Sequence, residues 1–249
     1  MRAGPAIAIG IGVLVAIFVA SQGRGQNDGR QDSVQHDTGR GLIASAPPSA
    51  RPQVAAPPAP ALPEEAAAII AAARTQVGVT TTYDPAYIRL DYPGGDVARD
   101  RGVCTDVLIR ALRDGAHIDL QLAVNRDMKA NFAAYPTIWG LKRPDPNIDH
   151  RRVPNLATLL TRLGAARPAS TDPAEFLPGD IVTSVLPGNL PHIMLISDRR
   201  SPDGTPPVIH NIGRGTREED ALFAYPHTGH LRAEGAALAE LRRLGQMQY

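Results

Sequence analysis

The chain has 249 residues, with 26 Lys and Arg against 25 Asp and Glu, a formal net charge of +1 and a single cysteine. That length accommodates one good-sized domain with extensions. The balanced charge leaves no basic stripe for nucleic acid, and one cysteine cannot build an intrachain disulfide framework.

Met1-Arg2 is followed by an unbroken apolar or small run from Ala3 to Ala20. It reads as an export signal with a minimal positive start, and it is also near the lower length limit of a spanning helix. Residues 1–21 are therefore expected to be a signal peptide or, through residues 3–20, a membrane anchor. The protein is then exported to the periplasm or cell envelope. Residues 22–62 are rich in Gly, Gln, Asp, Ser, Ala and Pro and end in Pro47-Pro48, Pro57-Pro58 and Pro60. Without apolar periodicity they read as a disordered linker.

Order is predicted to begin at Pro63-Glu64-Glu65, a proline and two acidic residues suited to a helix start. That helix runs to about Arg74 or Val77 and stops at Gly78. The turn-rich stretch Tyr83 to Asp96 carries three of the six tyrosines and reads as an ordered loop. A second helix begins at Cys104, with Val107, Leu108, Ala111 and Leu112 on one face and Gly115 as its stop. Asp119 caps a third, which ends before Pro136. After a polar loop at 143–152, Leu156, Leu159, Leu160 and Leu163 mark a fourth, ended by Gly164.

Beyond residue 176 the period changes. Pro178-Gly179-Asp180 is a turn, and strands are predicted at 181–185, 192–197 and 207–212. Helices followed by an antiparallel sheet make an α+β domain over residues 63–232. Residues 233–249 form a C-terminal helical tail. Glu218, Glu219 and Asp220 read as a solvated acidic turn.

Cys104 lies in the first turn of its helix, where the dipole favours a thiolate. In an oxidising compartment an unpaired thiol is a liability, so its retention points to a nucleophile rather than a small buried hydrophobe. A cysteine nucleophile needs a base, normally His, and that His needs an orienting partner. His192 and His210 fall on neighbouring predicted strands and can lie within hydrogen-bond reach. No HxxxH, CxxC or His-carboxylate spacing is present, so neither a metal nor another cofactor is expected. Arg151 and Arg152 suit the capture of substrate carboxylates, although an internally paired loop explains them equally well. Asp106 reads as a helix cap.

A helix-borne Cys followed by a strand-borne His and a polar residue on the next strand resembles the NlpC-type branch of the papain-like cysteine peptidases. The turn Pro178-Gly179-Asp180, one strand before His192, is similar to one in those enzymes. More closely, residues from about 75 to 232 resemble an exported bacterial family known as domain of unknown function 1287. The runs that carry this are Tyr92-Pro93-Gly94-Gly95-Asp96, Gly102-Val103-Cys104-Thr105-Asp106-Val107, Asn147 to Leu156, Pro191-His192-Ile193 and His210-Asn211-Ile212-Gly213. The resemblance implies a papain-like (NlpC-type) fold, with Cys104 packed on the sheet as nucleophile, His192 as base and His210 as its orienter. Asn211 is the rival third member and a candidate substrate contact. The peptidase branch usually carries Asp-Cys-Ser-Gly at the nucleophile; here Val103 precedes the cysteine and Thr105-Asp106 follow, so the contacts of that motif do not carry over.

The expected function is a cell-envelope thiol hydrolase, an amidase or peptidase acting on peptidoglycan or another envelope peptide through an acyl-enzyme. The alternatives are a non-catalytic module that binds cell-wall peptides and a thiol acyltransferase using the same residues. Limited proteolysis of the intact protein should cut between about Gln22 and Leu62 and leave a resistant core starting near Pro63. Protection of that segment equal to the core would place the domain start earlier.

Overall fold

The computed structural model describes residues 62–246. The apolar run at 3–20 and all of the expected linker except Leu62 lie outside the described residues.

The chain opens with α1 (Glu64–Arg74), then β1 (Thr82–Tyr83) and β2 (Arg101–Gly102), which pair in parallel and bring the loop between them back to the start of α2 (Cys104–Ala116). Next come α3 (Leu120–Asn131) and α4 (Val153–Arg162), the latter preceded by a 3-10 turn at Asp149–Arg151. The remaining strands are β3 (Ala166–Arg167), β4 (Ile181–Leu186), β5 (Leu190–Ile196), β6 (Val208–Asn211), β7 (Thr216–Glu219) and β8 (His227–Leu231). They form one antiparallel sheet in the order β3-β8-β4-β5-β6-β7, and α5 (Gly235–Gly245) closes the described chain. The domain is thus mixed α and β with an antiparallel sheet.

The sheet separates two apolar layers, as strand alternation requires. Ile181, Ile193, Leu195, Ile209 and Leu231 face the helices and join the main core with Ile70, Leu108, Leu112, Leu156 and Leu160. Val182, Met194, Ile196 and Val208 face the other way, under Phe176 and Leu222. α2 is the central helix. Its first nine residues are all buried, polar ones included, because each polar side chain has a partner. Arg110 has no exposed surface; it forks onto Asp96 at 2.9–3.1 Å and donates to Thr80 Oγ1 and to the carbonyls of Val97 and Arg101.

Several expected boundaries shift for physical reasons. α2 runs through Gly115 and ends at His117, which takes the left-handed conformation with φ 55°. Gly115 is there for close approach: a Cβ on it would lie 2.6 Å from the Ala68 carbonyl oxygen on α1. Asp119 does cap α3, accepting from the amides of Gln121 and Leu122. The 233–249 segment, expected as a helical tail, contains the helix α5, which packs into the domain. Leu241 and Leu244 of that helix are buried in the main core, and the Gly245 carbonyl accepts from Asp119 N at 3.0 Å. The expected acidic turn is instead the end of an edge strand, β7, with Glu218 and Glu219 paired to Ile209 and Val208.

Gly115→Ala should destabilise the domain. Overpacking of a tight contact costs about 1–3 kcal/mol, more than the ~1 kcal/mol that Ala gains over Gly in a helix. Urea unfolding should show a lower midpoint at unchanged slope; an unchanged or raised midpoint would mean that α1 moves aside freely.

Candidate active site

Val103 takes extended backbone, so α2 begins at Cys104 and the thiol stands in the first turn. The Val103 amide donates to Asp106 Oδ2 at 2.7 Å, the carboxylate half of a capping box whose other half valine cannot supply. The same carboxylate holds Arg151, with Nε to Oδ1 at 3.0 Å and Nη2 to Oδ2 at 2.8 Å. Gly102 suits the position beside it, since a Cβ there would make a tight 3.0 Å contact with Asp106 Oδ2.

His192 on β5 and His210 on β6 share one sheet face and meet with Nε2 of His192 2.9 Å from Nδ1 of His210. His210 Nε2 in turn lies 3.0 Å from Glu219 Oε1 on β7. Both histidines are buried. Asn211 points to the opposite face. Its amide donates to the Gly102 carbonyl at 3.0 Å and accepts from the Gly213 amide, so it fastens β6 to the chain just before Cys104. That engagement, with no surface exposed, makes Asn211 a structural tie rather than the substrate contact expected of it.

The thiol differs from expectation. Cys104 is 5% exposed, and burial pushes its pKa up to about 11. The Asp106 carboxylate pushes the same way, and the amides of Ile193, Thr105 and Cys104 offset only part of the rise. Desolvation of the thiolate therefore outweighs the helix dipole. Burial also lowers His192, to about 3, with His210 adding to the effect. His210 is lowered by burial and partly restored by Glu219. Among the described residues no hydrogen bond joins the thiol to His192, although Ile193, the next residue on β5, directs its amide at the sulfur. Both shifts favour the neutral form of each partner.

Cys104 opens onto a cleft of about 240 Å³ lined by Tyr83, Trp139, Arg152, Pro154 and Pro191. Of the two arginines expected to hold carboxylates, Arg151 is committed: besides Asp106 it reaches the carbonyls of Ala86 and Asp84, and only 3% of its side chain is exposed. Arg152 stands on the cleft wall, its guanidinium 4.1 Å from the centre of the Trp139 ring and 2.8 Å from Asp149 Oδ1. Trp139 and Tyr83 were not among the expected site residues. The one available signal was that Trp139 is the only tryptophan in the chain and sits near the polar 143–152 loop. His150, from the same loop, is buried and neutral, its pKa brought down to about 3 by burial and by Arg151. Among the described residues no group of three or more His, Cys, Asp or Glu is placed to hold a metal ion.

A family model described as "Domain of unknown function (DUF1287)" matches residues 70–233. The chain belongs to this family. It is also 56% identical over 165 residues to "Uncharacterized protein YijF" of Escherichia coli (strain K12), an alignment that covers 66% of this chain and 80% of that protein. Cys104, His192, His210, Glu219 and the Asp106–Arg151 pair all lie within the DUF1287 match, whereas α5 follows it.

Two outcomes follow from the geometry. Alkylation of Cys104 should be slower at neutral pH than that of a free thiol, whose pKa is ~8.5, and should still be rising above pH 10. A midpoint well below 8.5 would reveal a thiolate–imidazolium pair. Asp106→Ala leaves the Arg151 charge buried without its partner and should cost about 3–5 kcal/mol in chemical unfolding. A loss below about 1 kcal/mol would show that water reaches Arg151.

Proposed function

We propose that this DUF1287 protein is a cell-envelope thiol hydrolase with a papain-like fold of the NlpC type. It would cleave an amide bond in peptidoglycan or another envelope peptide through an acyl-enzyme. The observation that carries the reading is the placement of the lone thiol at a helix start on a cleft, where it receives the amide of Ile193, the residue after a buried His192 that is hydrogen-bonded to His210 on the next strand. The apolar run at 3–20 supports the envelope location.

With its pKa pushed up to about 11, little of the thiol is ionised at pH 7. The attack therefore needs general-base assistance within the step itself. His192 takes the thiol proton as sulfur bonds to the carbonyl carbon, and hydrogen bonds of this kind often tighten only when substrate is bound. The carbonyl oxygen gains charge as its double bond opens, and the Cys104 amide, at the helix start, is suited to stabilise it. His192 then returns the proton to the departing amine. Water attacks the thioester in the second half, and the acid is released with the thiol restored. Arg152 on its Trp139 platform is the side chain suited to a carboxylate on the substrate. Arg151 is left out of that role.

Digestion of purified sacculi with the intact domain, followed by mass spectrometry, tests this. Wild type should release peptide fragments, with Cys104→Ala and His192→Ala each slower by on the order of 10³-fold or more while still binding substrate. Retained binding with no product in wild type would favour a binding module. Products carrying an added amine in place of water would favour acyl transfer.

A further inference from the structure

The contact between His192 and His210 has a property that neither ring resolves alone. In a neutral imidazole one nitrogen donates and the other accepts. A bond from Nε2 of His192 to Nδ1 of His210 can therefore be made in two ways. Either His192 donates, leaving its own Nδ1 bare, or His210 donates, leaving His192 with its proton on Nδ1. Only the first leaves His192 a lone pair with which to take a proton from the thiol.

Glu219 breaks the tie. Its Oε1 lies 3.0 Å from Nε2 of His210, and a carboxylate only accepts. The proton of neutral His210 is thereby held on Nε2, which makes Nδ1 the acceptor, so that His192 must donate from Nε2 at 2.9 Å. Both histidines are 2% exposed, so water is a poor substitute for either contact. The neighbouring Glu218 is engaged elsewhere, its carboxylate joining Arg74, Ser197 and Arg199. The Glu219 carboxylate makes no other hydrogen bond or ion pair among the described residues, and about a third of its side chain meets solvent. Arg217, directly opposite His210 in the β6–β7 pairing, is exposed.

We propose that Glu219 is a positioning residue that acts through His210 to hold His192 in the tautomer with a free Nδ1. Its chemical purpose rests on the thiol-hydrolase reading; the tautomer itself does not, and the two can fail separately.

The test is long-range proton–nitrogen NMR of the intact protein carrying ¹⁵N-labelled histidine at pH 7, with His192→Ala and His210→Ala used to assign the signals. Wild type should show both rings protonated at Nε2. In Glu219→Ala the His192 signal should move toward the Nδ1-protonated form, and Glu219→Gln, whose side-chain oxygen still accepts, should restore it at least in part. A wild-type His192 protonated at Nδ1 would overturn the proposal even if Glu219→Ala failed to fold. So would an unchanged His192 tautomer in a folded Glu219→Ala. On a substrate found by sacculus digestion, Glu219→Ala should lose at least about tenfold in kcat at similar KM, with partial rescue by Gln. If wild type shows the stated tautomer and cleaves nothing, the hydrolase reading falls and the assignment of Glu219 stands.

Discussion

The site depends on one buried ion pair, Asp106 with Arg151. Moving either charge out of water costs several kcal/mol, and attraction repays this only when geometry and the remaining hydrogen bonds are good. Here they are. The guanidinium forks onto both carboxylate oxygens and reaches two carbonyls from the Asp84–Ala86 loop, while the carboxylate also takes the Val103 amide. Thr105 Oγ1 adds a bond to the Arg151 carbonyl. Three segments distant in sequence are thus joined at one point: the loop after β1, the start of the cysteine helix and the turn before α4. These supply much of the cleft wall.

The same pair helps determine the chemistry. A carboxylate two residues beyond Cys104 opposes ionisation of the thiol, and so does burial against Ile193 and the rest of the core. His192 is driven the other way, toward the neutral base, by desolvation beside His210. The result is a thiol and an imidazole both biased toward their neutral forms. Such a site protects the thiol from adventitious oxidation, because the thiolate is the reactive form. Under the proposed function, activation of the thiol falls to His192, and the run of bonds from His192 through His210 to Glu219 bears on it.

Elsewhere the fold secures the sheet by similar means. Asp180, in the Pro178-Gly179-Asp180 turn, pairs with Arg232 at 2.7 Å and with His230 Nε2 at 2.7 Å, tying the start of β4 to the end of β8. Phe176 stacks on His230 at 4.5 Å and covers the smaller apolar layer. The turn that looked like a simple strand break is the buried lock between two central strands. Arg110 and Asp96 do the same on the helical side, holding the long loop between β1 and β2 against α2.

The sequence by itself determined the elements whose signals are local. Apolar periodicity and capping residues placed α1 to α4, and period-2 runs placed β4, β5 and β6. The single cysteine at a helix start and the two strand-borne histidines were legible for the same reason, since each depends on its own neighbours. Strands β7 and β8, reading Thr-Arg-Glu-Glu and His-Thr-Gly-His-Leu, carry no apolar alternation and form because partners are already in place. Glu219 was invisible as a member of the site because its role exists only once β7 pairs with β6. The two adjacent arginines could not be told apart in sequence; burial against Asp106 commits Arg151, and the cleft leaves Arg152 on its wall. The protonation of the thiol was likewise decided only by tertiary structure. The dipole is a property of one helix, whereas desolvation is a sum over everything packed against the sulfur, and here that sum is the larger.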